Sequence, residues 1–157
     1  DSAAVDAAHA HRPAGDCPSS AARALRPAAP VQGGARPSQL RNWPVQIQLA
    51  PTRAPYFSGA DLLIAADCTA FAYAGAHEEF LSGRVTLIGC PKLDDADYAA
   101  KLAALFAQND IRSVTVLRME VPCCGGLVSA VRRALEACGR AIPLKVETVT
   151  IAGEKMR

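Results

Sequence analysis

The sequence predicts an α/β fold in which a mostly parallel open sheet of about four to five strands carries helices on both faces. Three short, continuous apolar segments are typical of buried parallel strands, and two longer segments repeat their apolar residues at the helical period. These two kinds of segment alternate along the chain, as they do in strand–helix–strand units. The chain has 157 residues, 50% of them hydrophobic, which is enough to bury one core.

The first predicted strand is VQIQL, in which Val45, Ile47 and Leu49 alternate with polar residues as in a half-buried strand. Three buried strands follow as ADLLIAADC, RVTLIGC and SVTVLRMEV, and the last predicted strand is IPLKVETVTI. A short helical segment, GAHEEFLSG, separates the first two buried strands. This order of elements predicts a doubly wound sheet of the Rossmann or flavodoxin type.

Two longer helices are predicted from apolar periodicity. The first lies in DDADYAAKLAALFAQND, where Asp94 or Asp95 is placed to cap its amino end. The second lies in GGLVSAVRRALEACGR and is expected to end at Gly139. The predicted buried faces consist of Tyr98, Leu102, Leu105 and Phe106 in the first helix and of Leu127, Val131, Ala134, Leu135 and Cys138 in the second.

The amino-terminal part of the chain differs in composition from the rest. Residues 1–37 are rich in Ala, Pro, Ser and Gly and lack apolar periodicity, which predicts a flexible or extended arm that carries Cys17. Residues 38–157 are predicted to form a single α/β domain. A net charge of +2, few aromatic residues and no bilayer-length apolar run favour neither a nucleic-acid nor a membrane partner. We therefore expect a cytoplasmic protein.

Four of the six cysteines follow the predicted buried strands. Cys68 closes the first of these strands, Cys90 closes the second, and Cys123 and Cys124 close the third. Because the carboxyl ends of parallel strands meet at one edge of a sheet, where α/β proteins form their sites, we expect these thiols together. Such a set of thiols suits zinc or an iron–sulfur cluster. The chain has no C-x-x-C pair, so the wide spacing favours a cluster over zinc.

The segment VPCCGG supplies a reason for adjacent cysteines at the start of a helix. Pro122, Gly125 and Gly126 are expected to let the backbone turn sharply and approach an inorganic core without Cβ clashes. The amino end of the following helix stabilises negative charge, and a thiolate-bound cluster is anionic. We therefore predict that Cys123 and Cys124 are cluster ligands and that the two glycines contact the cofactor.

The segments WPVQ, ADC, CPKL and VPCCGG resemble the C-terminal domain of bacterial 4Fe-4S ferredoxin-like iron–sulfur cluster-binding proteins of anaerobes. Relatives in that group carry a ferredoxin module before this domain, and its cysteine runs do not occur here. They also have a Gly-Cys-Pro-Gly-Ser segment, and GDCPSS is similar to it, so the resemblance implies Cys17 as a fifth candidate ligand. Cys90 and the segment CCGG are also similar, more weakly, to the CCG domains of heterodisulfide reductases, which bind a noncubane cluster.

Three functions of different classes are compatible with these residues. The favoured one is an electron-transfer or redox-sensing module that exchanges single electrons with a redox protein, either a ferredoxin or an oxidoreductase. The second is an iron–sulfur enzyme in which an open iron or a reactive extra cysteine acts on a small molecule. The third is a structural domain that holds zinc through its thiolates.

Overall fold

The computed structural model describes residues 22–25, 34 and 36–157 and contains two sheets, the larger of which is formed by the apolar segments of the sequence. Strands β1 (Arg23–Ala24) and β2 (Asn42–Trp43) form a small antiparallel pair. The main sheet consists of β3 (Ala60–Ala66), β4 (Val85–Gly89), β5 (Ile111–Met119) and β6 (Leu144–Val149). The continuous apolar character of β3 and β5 reflects burial on both faces.

The order of the strands in the main sheet is β4-β3-β5-β6, and every neighbouring pair is parallel. The chain moves outward from β3 to β4, then crosses back to β5 and continues to β6. Its winding therefore reverses between β3 and β5, which is the position where open α/β sheets place their binding crevice. The predicted fold class is confirmed.

Helices cover both faces of this sheet. The short α1 (Thr69–Ala72) and a π-helical turn (His77–Leu81) connect β3 to β4. Helix α2 (Tyr98–Gln108) and helix α3 (Gly125–Cys138) make the next two crossovers and pack against each other. Because parallel crossovers are right-handed, α2 and α3 share one face and α1 lies on the opposite face. Two 3₁₀ turns complete the set, at Pro55–Phe57 and Pro122–Cys124.

The predicted helical faces are largely confirmed. All four predicted residues of α2 are buried, and in α3 the buried positions include Leu127, Val131 and Ala134. Leu135 and Cys138 are only partly buried, because they lie at the last turn of the helix. Gly139 ends α3 with a φ of 69°, a left-handed conformation that favours glycine. Among the described residues, no helix has both the length and the apolar character that crossing a membrane requires.

The predicted strand VQIQL is wrong in extent. Only Gln46 forms a bridge, parallel to Ile88 of β4, and the chain turns from Ile47 onward. Ile47 is buried, but Leu49 at the end of the alternation is exposed. Backbone hydrogen bonds that Val45 and Ile47 make with Ile88 are enough to bury Ile47. The turn that follows takes Leu49 away from the sheet.

The predicted cap of α2 is also wrong. The N-cap is Asp97, whose carboxylate accepts a hydrogen bond of 3.1 Å from the Ala100 amide. Asp94 instead accepts a hydrogen bond from the Tyr98 hydroxyl. Several acidic residues precede this helix and any of them could cap it. The position of Tyr98 in the folded chain decides that Asp94 binds its hydroxyl and that Asp97 caps the helix.

A pH-dependent contribution to stability is expected from Asp61 at the amino end of β3. The Arg112 guanidinium and then the Ser113 hydroxyl donate to this carboxylate and lower its pKa to about 2. Because the folded pKa lies below the unfolded value of about 4, the stabilisation is present at neutral pH and is lost as pH falls from 4 to 2. In urea denaturation, Asp61→Asn should be less stable than wild type at pH 7, and the difference should shrink over that range. A difference independent of pH would contradict this account.

Candidate thiol site at the carboxyl edge of the sheet

Four thiols lie just beyond the carboxyl ends of three adjacent strands. Cys68 is the N-cap of α1 directly after β3 and is exposed, and Cys90 follows β4 and is partly exposed. In the 3₁₀ turn after β5, Cys123 is exposed and Cys124 is buried. All four are free thiols. This placement agrees with the sequence analysis, and the role of these residues as ligands stays a prediction.

The segments that carry the thiols touch one another. The Asp67 amide donates to the Gly89 carbonyl at 3.1 Å, which joins the ends of β3 and β4. A Cβ atom on Gly126 would lie 3.2 Å from the Cβ of Pro91, so the start of α3 approaches the loop after β4 closely. A Cβ on Gly125 would meet only the Arg118 Nη1, at an ordinary 3.8 Å. Glycine at position 126 therefore allows the start of α3 to pack against Pro91, and the contact of Gly125 and Gly126 with a cofactor stays a prediction.

The thiols share an edge without converging on a point. Within the described part of the chain, no group of three or more His, Cys, Asp or Glu side chains could hold a single metal ion. A structural zinc ion needs four ligands, each about 2.0 to 2.3 Å from one centre. The described side chains as they stand therefore do not fit such an ion. Cys17, the fifth predicted ligand, lies outside the described residues.

The environment of the cysteine doublet affects its protonation. Burial raises the pKa of the Cys124 thiol, and the neighbouring Cys123 raises it further. A hydrogen bond with the Met119 backbone and the positive charge of Arg118 act in the opposite direction. The Cys124 thiol is therefore protonated at neutral pH, and a metal that binds it would have to displace the proton.

Arg118 is a residue of this site that the sequence analysis missed. Its Nε donates to the Met119 carbonyl at 3.0 Å and its Nη2 donates to the Val121 carbonyl at 3.1 Å. These two bonds hold the guanidinium beneath the turn that carries Cys123 and Cys124. The signal in the sequence was a cation within the otherwise apolar segment SVTVLRMEV. A positive group at this position favours negative charge on the thiols or on a ligand they hold.

An acidic cluster beside Cys90 was also missed. Burial first, and then the charge of Asp94, raise the pKa of Asp67, while a hydrogen bond with the Gln46 side chain lowers it. Burial and then the hydrogen bond to Asp94 raise the pKa of Tyr98 as well. The signal for this cluster was an acidic residue at the end of the apolar segment ADLLIAADC.

The position of the Tyr98 ring requires a glycine at the end of β4. Its hydroxyl makes a hydrogen-bond contact with the Cys90 backbone. A Cβ on Gly89 would lie only 2.5 Å from the hydroxyl oxygen of Tyr98. Glycine at this position therefore lets α2 pack its first residue against the loop that carries a candidate ligand.

An open parallel sheet with its winding reversed between β3 and β5, and with reactive groups beyond its carboxyl ends, defines a Rossmann-type α/β domain. Residues 54–157 match the model of a family described as a Rossmann-like domain, and the chain belongs to that family. A protein of Archaeoglobus fulgidus, described as an uncharacterized protein, is 33% identical to this chain over 116 residues. The match covers 73% of this chain and 81% of that protein.

Proposed function

We propose that this protein binds one iron–sulfur cluster, with 4Fe-4S as the preferred type, and acts as an electron-transfer or redox-sensing module. The observation that carries the proposal is the placement of four free thiols beyond three adjacent parallel strands. When bound, such a cluster supplies one-electron transfer at a potential tuned by its surroundings. The ligands would be drawn from Cys68, Cys90, Cys123 and Cys124.

The spacing of these thiols supports a cluster over a single ion. A cubane cluster spreads its thiolate ligands over several iron atoms, so its ligands need not meet at one point. The thiols follow separate strands and do not form a C-x-x-C pair, and this spacing favours a cluster over zinc.

The charges around the edge also support an anionic cofactor. Arg118 lies beneath the cysteine doublet, and the amino end of the 14-residue helix α3 begins directly after it. Both features favour negative charge on the same side of the sheet.

Cys17 is included among the proposed ligands because the sequence resemblance implies it. It lies outside the described residues, so its inclusion rests on that resemblance alone.

The partner in this proposal is a redox protein, a ferredoxin or an oxidoreductase, as the sequence resemblance implies. Free thiols persist in a reducing compartment, so the proposed location is the cytoplasm. Cys68 and Cys123 are the exposed members of the set, so the accessible side of the proposed cofactor would lie between the ends of β3 and β5.

The test is to measure iron, acid-labile sulfide and zinc per chain on protein purified without oxygen, together with its absorption spectrum. We expect about four irons and four sulfides per chain and the brown colour of a thiolate-bound cluster. One zinc without sulfide would replace the proposal with a structural thiolate site. Protein that takes up neither metal, even on anaerobic reconstitution with iron and sulfide, would overturn metal binding altogether.

A further inference from the structure

An apolar cavity of about 190 Å³, partly open to solvent, lies on the face of the sheet that carries α1. Its floor spans three strands, with Ile88 from β4, Ala65 from β3 and Leu117 from β5. Leu81 of the π-helical turn and Phe71 of α1 form part of its wall. The cavity thus crosses the position between β3 and β5 where the winding reverses, the usual place for a ligand in such sheets.

Two polar atoms belong to residues of this cavity wall and lack partners. Among the described residues, neither Thr86 Oγ1 nor Asp67 Oδ1 has a hydrogen-bond partner, although both atoms are buried. Thr86 is only 2% exposed. The backbone groups of Thr86 are already paired with the Asn42 side chain. The Thr86 amide donates to Asn42 Oδ1 and the Thr86 carbonyl accepts from Asn42 Nδ2, each at 2.9 Å. Buried polar groups are nearly always paired, so the unpaired Thr86 hydroxyl, which is almost fully buried at the wall of an apolar cavity, calls for a ligand that pairs it.

We propose that this cavity binds a small molecule that combines an apolar body the size of one six-membered ring with a single O–H or N–H donor. The apolar body fills the space over Ala65, Ile88 and Leu117. The donor group reaches Thr86 Oγ1, which can both donate and accept. The proposal does not depend on the iron–sulfur cluster, since none of the described residues that line the cavity is a cysteine.

The size of the ligand follows from the volume. An apolar cavity of about 150 Å³ engineered in another protein stays dry and binds benzene, so 190 Å³ accepts one ring with a short polar substituent. Nucleotides and dinucleotide cofactors are far too large for this cavity. The expected class is therefore a small aromatic or alicyclic alcohol or amine.

The test compares benzyl alcohol with toluene, which has the same ring and no donor, on the ¹⁵N-labelled full chain by NMR titration. Amide shifts should concentrate at Ala65, Ile88 and Leu117, and benzyl alcohol should bind about tenfold more tightly than toluene. In Thr86→Val, which exchanges the hydroxyl for a methyl group of similar size, that difference should disappear while toluene still binds. Ala65→Leu should weaken both probes by filling the cavity.

Thr115→Val is the matched control, because Thr115 is also a buried threonine of the sheet, 6% exposed, and does not line the cavity. It should keep the preference for benzyl alcohol. Equal affinity of the two probes for wild type, or an unchanged preference in Thr86→Val, would overturn the donor requirement. Absence of shifts at the cavity wall, or binding that survives Ala65→Leu unchanged, would overturn the site.

Discussion

Cys90→Ser is expected to remove most of the iron and sulfide bound per chain, whereas Cys138→Ser should leave both unchanged. Cys90 lies beyond β4 at the edge where the other thiols gather, and serine is a poor ligand for iron–sulfur clusters. Cys138 lies at the last turn of α3, where its thiol donates to the Leu135 carbonyl at 3.2 Å, a bond that serine can also make. Metal and sulfide analysis after anaerobic reconstitution measures the difference, with circular dichroism to verify that both variants fold.

The same series separates ligands from the spare thiol. Five cysteines are candidates and a cubane takes four protein ligands, so one of Cys17, Cys68, Cys123 and Cys124 should tolerate serine with its iron retained. The burial of Cys124 and the exposure of Cys123 make the doublet the most informative pair in this comparison. If every single variant, including Cys90→Ser, kept its full iron content, the edge would not be the cluster site.

Gly153→Ala is expected to lower the free energy of unfolding by about 3 kcal/mol. Gly153 lies in the turn after β6 with a φ of 84°, where an L-residue is strained by about 1–2 kcal/mol. An added Cβ would also lie 2.5 Å from the carbonyl oxygen of Ala72, a backbone atom at the end of α1, and such overpacking adds about 1–3 kcal/mol. Urea denaturation at neutral pH measures the loss.

Gly59→Ala is the matched control for this prediction. Gly59 has a similar φ of 64°, but a Cβ there would meet nothing within 4 Å, so only the backbone strain of about 1–2 kcal/mol applies. The excess loss in Gly153→Ala reports the contact between the turn after β6 and α1. Equal losses in the two variants would show that this contact contributes nothing. The contact matters for the site, because α1 begins at Cys68.

Much of the fold could be predicted because burial leaves a local signature. Strands buried on both faces, such as β3 and β5, are continuous apolar runs of strand length, and α2 and α3 repeat apolar residues at the helical period. Once these elements alternate, a parallel sheet follows. The positions of Cys68, Cys90 and Cys124 beyond the strand ends then follow from chain order alone.

The features that were not predicted depend on partners distant in the chain. Gln46 pairs with Ile88, and the turn after it ends a strand that alternation alone extends to Leu49. Asp94 accepts a hydrogen bond from the Tyr98 hydroxyl, and Asp97 is therefore the residue that caps α2. Local sequence does not distinguish these outcomes, because each is decided by which group a neighbouring element brings within hydrogen-bond distance.

The sequence by itself determined the class of fold, the two long helices and the edge of the sheet at which the thiols lie, because each depends on periodicity or chain order. Only the tertiary structure decided what surrounds that edge. It placed Arg118 beneath the cysteine doublet and Thr86 and Asp67 at one apolar cavity. The physical reason is that charge, hydrogen-bond pairing and enclosed volume are properties of residues far apart in sequence that packing brings together.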